Sequence, residues 1–157
     1  MSTKQDLIEG MTGVIVEAKR VSKLLDEQGD WSVKRPAGWT PKEMFSHIAS
    51  VSEQIATTGP GLLGAPEDFD FTASTNVTEM NARVVAAMSE KLSQELTQAI
   101  VANFGKIGAW VETLSDEQLA TPKTFAQMKM PVSDMLGNIA ILHAHHHMFE
   151  AAIRTAF

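Results

Sequence analysis

Five histidines occur in the sequence, at positions 47, 143, 145, 146 and 147. Four of them fall in the string His143-Ala144-His145-His146-His147, within a stretch of helical periodicity. Helical sequence (MFEAAIRTAF) follows the string, so it does not read as a tag. At about 100° per residue, with His143 at zero, His147 lies near ~40°, Glu150 near ~−20°, His146 near ~−60° and His145 near ~200°. By the same count Leu136 lies near ~20° and Ile139 near ~−40°, so His143 and His147 share the predicted buried stripe, one turn apart. Two His at i and i+4 can grip one metal ion from a single helix. His47 is the one His left to complete the set, and it too lies on an apolar helical face. Three imidazoles buried without a common partner would carry a desolvation cost, and a shared divalent ion satisfies all three. The competing reading is that of hydrogen-bonded core histidines.

A set of three His ligands leaves at least one coordination position open, which is the pattern of catalytic sites. The expected cofactor is a divalent transition metal, with Zn ahead of Ni, Fe or Mn; imidazole nitrogens alone do not single one out. Glu150 is the acid whose helical phase brings it beside His143 and His147, and it is the candidate catalytic base. Glu43 lies one turn before His47 and reads first as a capping residue. Asp134 suits the first turn of its helix as a favourable charge. Trp39 reads as packing at a bundle end, and Phe69 and Phe71 as loop anchors or a cleft cover. Ser46 precedes His47 but diverges from it by about 100°, which argues against a Ser–His couple.

The elements that must position these residues are helices. Apolar residues recur at intervals of three and four, and strand signals are nearly absent. A first helix is predicted from about Thr3 to Asp26, with the stripe Leu7, Met11, Val14, Ala18, Val21 and Leu25, stopping near Gly29. The second begins at Thr40-Pro41-Lys42-Glu43: Thr caps, Pro takes the first helical position and Glu completes a capping box. It presents Met44, His47, Ile48, Val51 and Ile55 on one face and ends before Gly59-Pro60-Gly61. A long connection follows, from Thr58 to about Thr75, and loops of this length inside small domains are often functional. Helical pattern resumes at Val77 and runs to Leu114, with a break near Ser89 to Ser93. Its second half carries the stripe Leu96, Ile100, Phe104, Ile107 and Val111. Ser115-Asp116-Glu117-Gln118 is another capping box, Thr121-Pro122 ends that short helix, and the last helix begins at Pro131. The fold class is all-α: one four-helix bundle over residues 1–157, with the long connection between helices 2 and 3.

Composition narrows the function classes. The chain has 157 residues, enough for one domain with one core, and 44% of them are hydrophobic. A net charge of −6, without a Lys/Arg cluster, argues against nucleic-acid backbones as partners. The absence of cysteine removes disulfides, thiolate ligands and a cysteine nucleophile. With no signal-peptide layout at the start and no apolar run near the roughly 20 residues a bilayer requires, the expectation is a cytoplasmic protein with no membrane partner. Nine Met fit irregular cores and clefts.

Two segments resemble a known family. Trp39-Thr40-Pro41-Lys42-Glu43-Met44-Phe45-Ser46-His47-Ile48 resembles the early W-S/T-P…H-L signature of DinB-like (YfiT-like) proteins. Pro131 to Leu136, followed by His143 to His147, resembles that family's closing H-D-x-H-H-x-x-Q segment. The resemblance spans Trp39 to about Ile153. It implies a four-helix bundle, often a homodimer, with His47, His143 and His147 on the metal-ligand positions. It further implies a thiol-dependent transferase or isomerase, or a hydrolase, acting on a small molecule, with a low-molecular-weight thiol as one partner. Ala144 replaces the usual Asp and Glu150 the usual Gln, so one supporting contact is lost and an acid is gained. The alternative function is a metal- or ligand-binding bundle without turnover.

Overall fold

The computed structural model describes residues 2–67, 69–70, 76–88, 90–125 and 127–154, without the side chains of 77 and 80. Helix α1 (Lys4–Gln28) opens on a capping box between Thr3 and Asp6 and closes at Gly29, whose left-handed φ of 66° favours glycine. All six residues of its predicted stripe are buried to 1% exposure or less. Helix α2 (Pro41–Leu62) starts at the predicted box: Thr40 N–H donates to Glu43 Oε2 at 2.7 Å and Glu43 N–H to Thr40 Oγ1 at 3.2 Å. Helices α3 (Val77–Met88) and α4 (Ser93–Thr113) follow, separated where the periodicity breaks. The predicted stripe of α4 is wholly buried. The short α5 (Asp116–Ala120) carries its Ser115–Gln118 capping box.

The predicted end of the second helix is corrected. Helix α2 runs through Gly59 and Pro60 to Leu62, so the connection begins at Leu63 rather than Thr58. Pro60 sits in the last turn, where its missing N–H costs the single bond to the Ala56 carbonyl and only two helical residues follow. Gly59 is buried so tightly against α4 that a Cβ there would lie 2.7 Å from the Trp110 ring. Beyond the helix end, the buried Lys123 ammonium donates to the Leu63 and Ala65 carbonyls, a cation at a helix C-terminus. Phe71 lies outside the described residues; Phe69 is half-exposed, at 51%.

Lys123 belongs to an element the periodicity does not reveal. Strands β1 (Pro122–Phe125) and β2 (Met128–Pro131) pair antiparallel, with Pro122 opposite Pro131 and Phe125 opposite Met128. Gln127 takes a left-handed φ of 65° at the turn, and its N–H donates to Asp70 Oδ2 at 2.8 Å. The hairpin is fastened to the connection by Thr124 Oγ1 on Glu67 O (2.8 Å) and by a Lys129–Glu67 ion pair (2.7 Å). Tertiary contacts therefore make strands from a sequence poor in β-branched residues.

The C-terminal rod has three consecutive parts: α6 (Val132–Met135), a π-helical stretch (Leu136–Leu142) and α7 (His143–Ala152). Four helices form the bundle. α1 packs against α4 and the C-terminal rod, α2 packs against the same two, and α3 lies on α2. Residues spaced by four drift about 40° per step on an α-helix, and the wider π turn takes up that drift. The buried stripe of the rod accordingly follows Leu136, Ala140, Ala144 and Met148. This corrects the predicted stripe: Ile139 is only partly buried, and His143 and His147 flank the core instead of facing into it.

Candidate metal centre

Because α2 and α7 are neighbours, His47 comes to face His143 and His147 across the helix interface. His47 is buried, at 5% exposure, and the other two are half-buried. His47 Nε2 and His143 Nε2 are 3.0 Å apart. The three residues each offer one ring nitrogen, and these nitrogens all lie within 4.8 Å of one another. Ring centroids are 4.7–5.1 Å apart, with planes 77–86° from parallel, so no pair stacks. Two nitrogens bound to one ion at about 2.1 Å are separated by about 3.0 Å at right angles and about 3.4 Å in a tetrahedron. The observed separation suits either.

Electrostatics favour neutral, lone-pair-bearing rings. Burial, with His143 and His147 adding to it, pushes the His47 imidazole down to about 4 from its ordinary 6.5. Burial, then His147 and His146, does the same to His143, also to about 4. His147 is lowered by burial as well, against the opposing pull of Glu150. His147 Nδ1 lies 2.9 Å from Glu150 Oε2. An ionised carboxylate can only accept, so Nδ1 carries the proton and Nε2 keeps its lone pair for the cluster. His47 Nδ1, by contrast, is buried with no hydrogen-bond partner. The His47 Nε2 faces only the Nε2 of His143, and an ion shared between them would engage both lone pairs. The donor set therefore fits a divalent transition metal.

The other candidates fall outside this trio. His145 turns to the opposite side of α7, where its Nε2 approaches Gly13 of α1. His146 is largely exposed, with Nε2 3.4 Å from Glu150 Oε1. His146, His147 and Glu150 form a second, more exposed group able to offer three ligand atoms. Glu43 is occupied by the Thr40 cap, and Ser46 Oγ donates to Lys42 O at 2.8 Å rather than to a His. Asp134 lies in the first turn of α6.

Sequence reasoning missed the part Trp39 takes. Its indole stacks on His147 (5.8 Å between centroids, 6° between planes) and presents an edge geometry to His47 at 5.4 Å. Trp39 is held by the loop before α2: its carbonyl accepts from Arg35 N–H at 2.9 Å. The buried Arg35 guanidinium donates through Nε to Ala151 O at 2.9 Å and lies 3.5 Å from Asp30. The loop is thereby tied to the end of the helix that carries the two His. Trp39 and Glu43 also line a cleft of about 620 Å³, closed on its other side by Asn81, Ala82, Val85 and neighbouring residues of α3.

A four-helix bundle with one His on α2 and two on α7 meeting at a partly open face defines a class of metal-binding bundle. The chain belongs to the DinB superfamily, whose profile matches residues 18–151. Among solved structures it is similar to YfiT from Bacillus subtilis, at 16% identity and a TM-score of 0.78 over 96% of this chain and 86% of that one. That protein is described as a probable metal-dependent hydrolase with an unusual four-helix bundle topology. At this identity the likeness shows the shared fold. No curated protein matches the chain.

Proposed function

We propose that this protein is a metal-dependent enzyme acting on a small molecule, with one divalent ion held by His47, His143 and His147. The observation that carries the reading is the 3.0 Å approach of two imidazole nitrogens, with a third nitrogen in reach, on a face that is only half-buried. When bound, such an ion acts as a Lewis acid that lowers the pKa of a coordinated water or thiol. Zn is the first candidate, then Ni, Fe or Mn. The chain's own residues would do the rest. Glu150 would hold His147 in one tautomer, Trp39 stacks on one side of the cluster, and Glu150 is the candidate to accept a proton. The reaction is a hydrolysis, or a transfer or isomerisation in which a low-molecular-weight thiol serves as cosubstrate. The chain has no cysteine of its own to supply that thiol.

A binding-only reading has one observation in its favour: both Glu150 oxygens are engaged, by His147 at 2.9 Å and His146 at 3.4 Å. Untagged protein, loaded with Zn, Ni, Fe or Mn, should be screened on neutral esters and amides with and without a thiol. Turnover that follows metal content and falls in Glu150→Gln, with metal retained, supports the enzyme. Full metal loading without turnover of any of these would favour binding alone, and no metal uptake would end both readings.

A further inference from the structure

The cleft between α3 and the start of α2 takes no part in holding the ion, yet two of its walls lead to the histidines. Trp39 lines it and stacks on His147. Glu43 lines it one turn before His47, about 6 Å along the helix axis. At about 620 Å³ it has the size of a small-molecule site. Its chemistry is one-sided. Among the described lining residues, Ala82 and Val85 supply apolar surface, Asn81 an uncharged amide, and none is Lys or Arg; Lys42 lines the smaller pocket beyond Glu43 and Val85. The one charge, Glu43, has Oε2 occupied by Thr40 N–H (2.7 Å) and Thr40 Oγ1 (3.0 Å), so it is fixed in place and would repel an anion.

We propose that this cleft receives an uncharged, largely apolar part of the substrate, laid flat against Trp39, and rejects anionic groups. The inference rests on reading the His cluster as the reaction centre: a group in the cleft would sit one indole away from His147. The flat indole favours a planar apolar partner, and Asn81 can orient an amide or carbonyl.

Benzamide and benzoate are the probes, equal in shape and different in charge. Full-length, metal-supplemented protein labelled with 5-fluorotryptophan carries three reporters, and Trp39→Phe assigns one of them to Trp39. Benzamide should shift the Trp39 fluorine signal saturably, and benzoate should bind at least about tenfold more weakly. Ala82→Phe and Val85→Phe each fill the cleft from a different point on α3 without adding a fluorinated indole. Both should abolish the benzamide response while metal content stays at that of the unsubstituted protein. An unchanged benzamide response in both variants, no response in the parent protein, or equal binding of benzoate would overturn the proposal. Metal content is measured separately, by elemental analysis. A cleft response lost in both variants, in a protein that takes up no metal, would sustain the cleft and defeat the metal-enzyme reading.

Discussion

His47 is the most buried of the three clustered imidazoles and has the least to bond to: its Nδ1 meets no partner and its Nε2 meets another imidazole. Such a residue should be sensitive to substitution and to protons. His47→Ala and His143→Ala should each lower metal affinity by more than about 100-fold, while Glu150→Ala, which frees the His147 tautomer, should lower it by about 10–100-fold. Calorimetric titration of Zn into each variant reads this order. His145→Ala should leave affinity unchanged, because its ring packs on the α1 side. Protons act through His47 and His143, which are pushed down to about 4 in the fold. Between pH 6.5 and 4 the unfolded chain binds protons that the folded metal-free protein refuses, so stability falls as pH drops through that window. Thermal melts of metal-free protein should show a decline across it. In the double variant His47→Gln/His143→Gln the decline should shrink, and an equal decline would assign the pH dependence to other groups.

Glycines report how closely the helices are packed. Gly59 lies against the Trp110 ring, whereas Gly105 of α4 has no atom near a built Cβ. Gly105→Ala should therefore stabilise by about 0.5–1 kcal/mol through helix propensity. Gly59→Ala should destabilise by about 1–3 kcal/mol because the indole must shift. Urea denaturation of the two variants decides it, and a stabilised Gly59→Ala would mean that the α2–α4 contact is looser than described. The same elements show what the sequence could reveal. The stripes of α1 and α4 and the Thr40 cap were legible because local periodicity and capping chemistry determine them. The convergence of the His trio was legible from the one-turn spacing of His143 and His147 and the apolar face of α2 that carries His47, although the two on α7 flank the core instead of facing into it. The π stretch at Leu136–Leu142 was not, since its phase shift arises from how the rod packs, and it moved the buried stripe from Ile139 to Ala140. The hairpin at 122–131 escaped as well: two four-residue strands depend on Asp70, Glu67 and the burial of Lys123, contacts from distant segments. Trp39 looked like packing because its partner, His147, lies at the other end of the chain.

At the scale of the molecule, no described helix is long and apolar enough to cross a membrane, and the bundle closes around a core shared by α1, α2, α4 and the C-terminal rod. An ion that binds only the folded state raises stability by about 2.7 kcal/mol when its free concentration is 100 times Kd. Zn-loaded protein should therefore melt higher than chelator-treated protein, and the increment should vanish in His143→Ala. A chelator that leaves Tm unchanged in the unsubstituted protein would count against a folded-state ion. His47 and His143 stand 96 positions apart, so an ion between them would be a cross-link closing most of the bundle into one covalent-like loop. In a chain without cysteine, that is the one cross-link of this kind the described side chains offer. No ion can be shared by His47 and His143 until α7 has docked on α2. An ion held by all three His during refolding would therefore report the docking of α7 on α2, apart from any ion gripped by His143 and His147 alone.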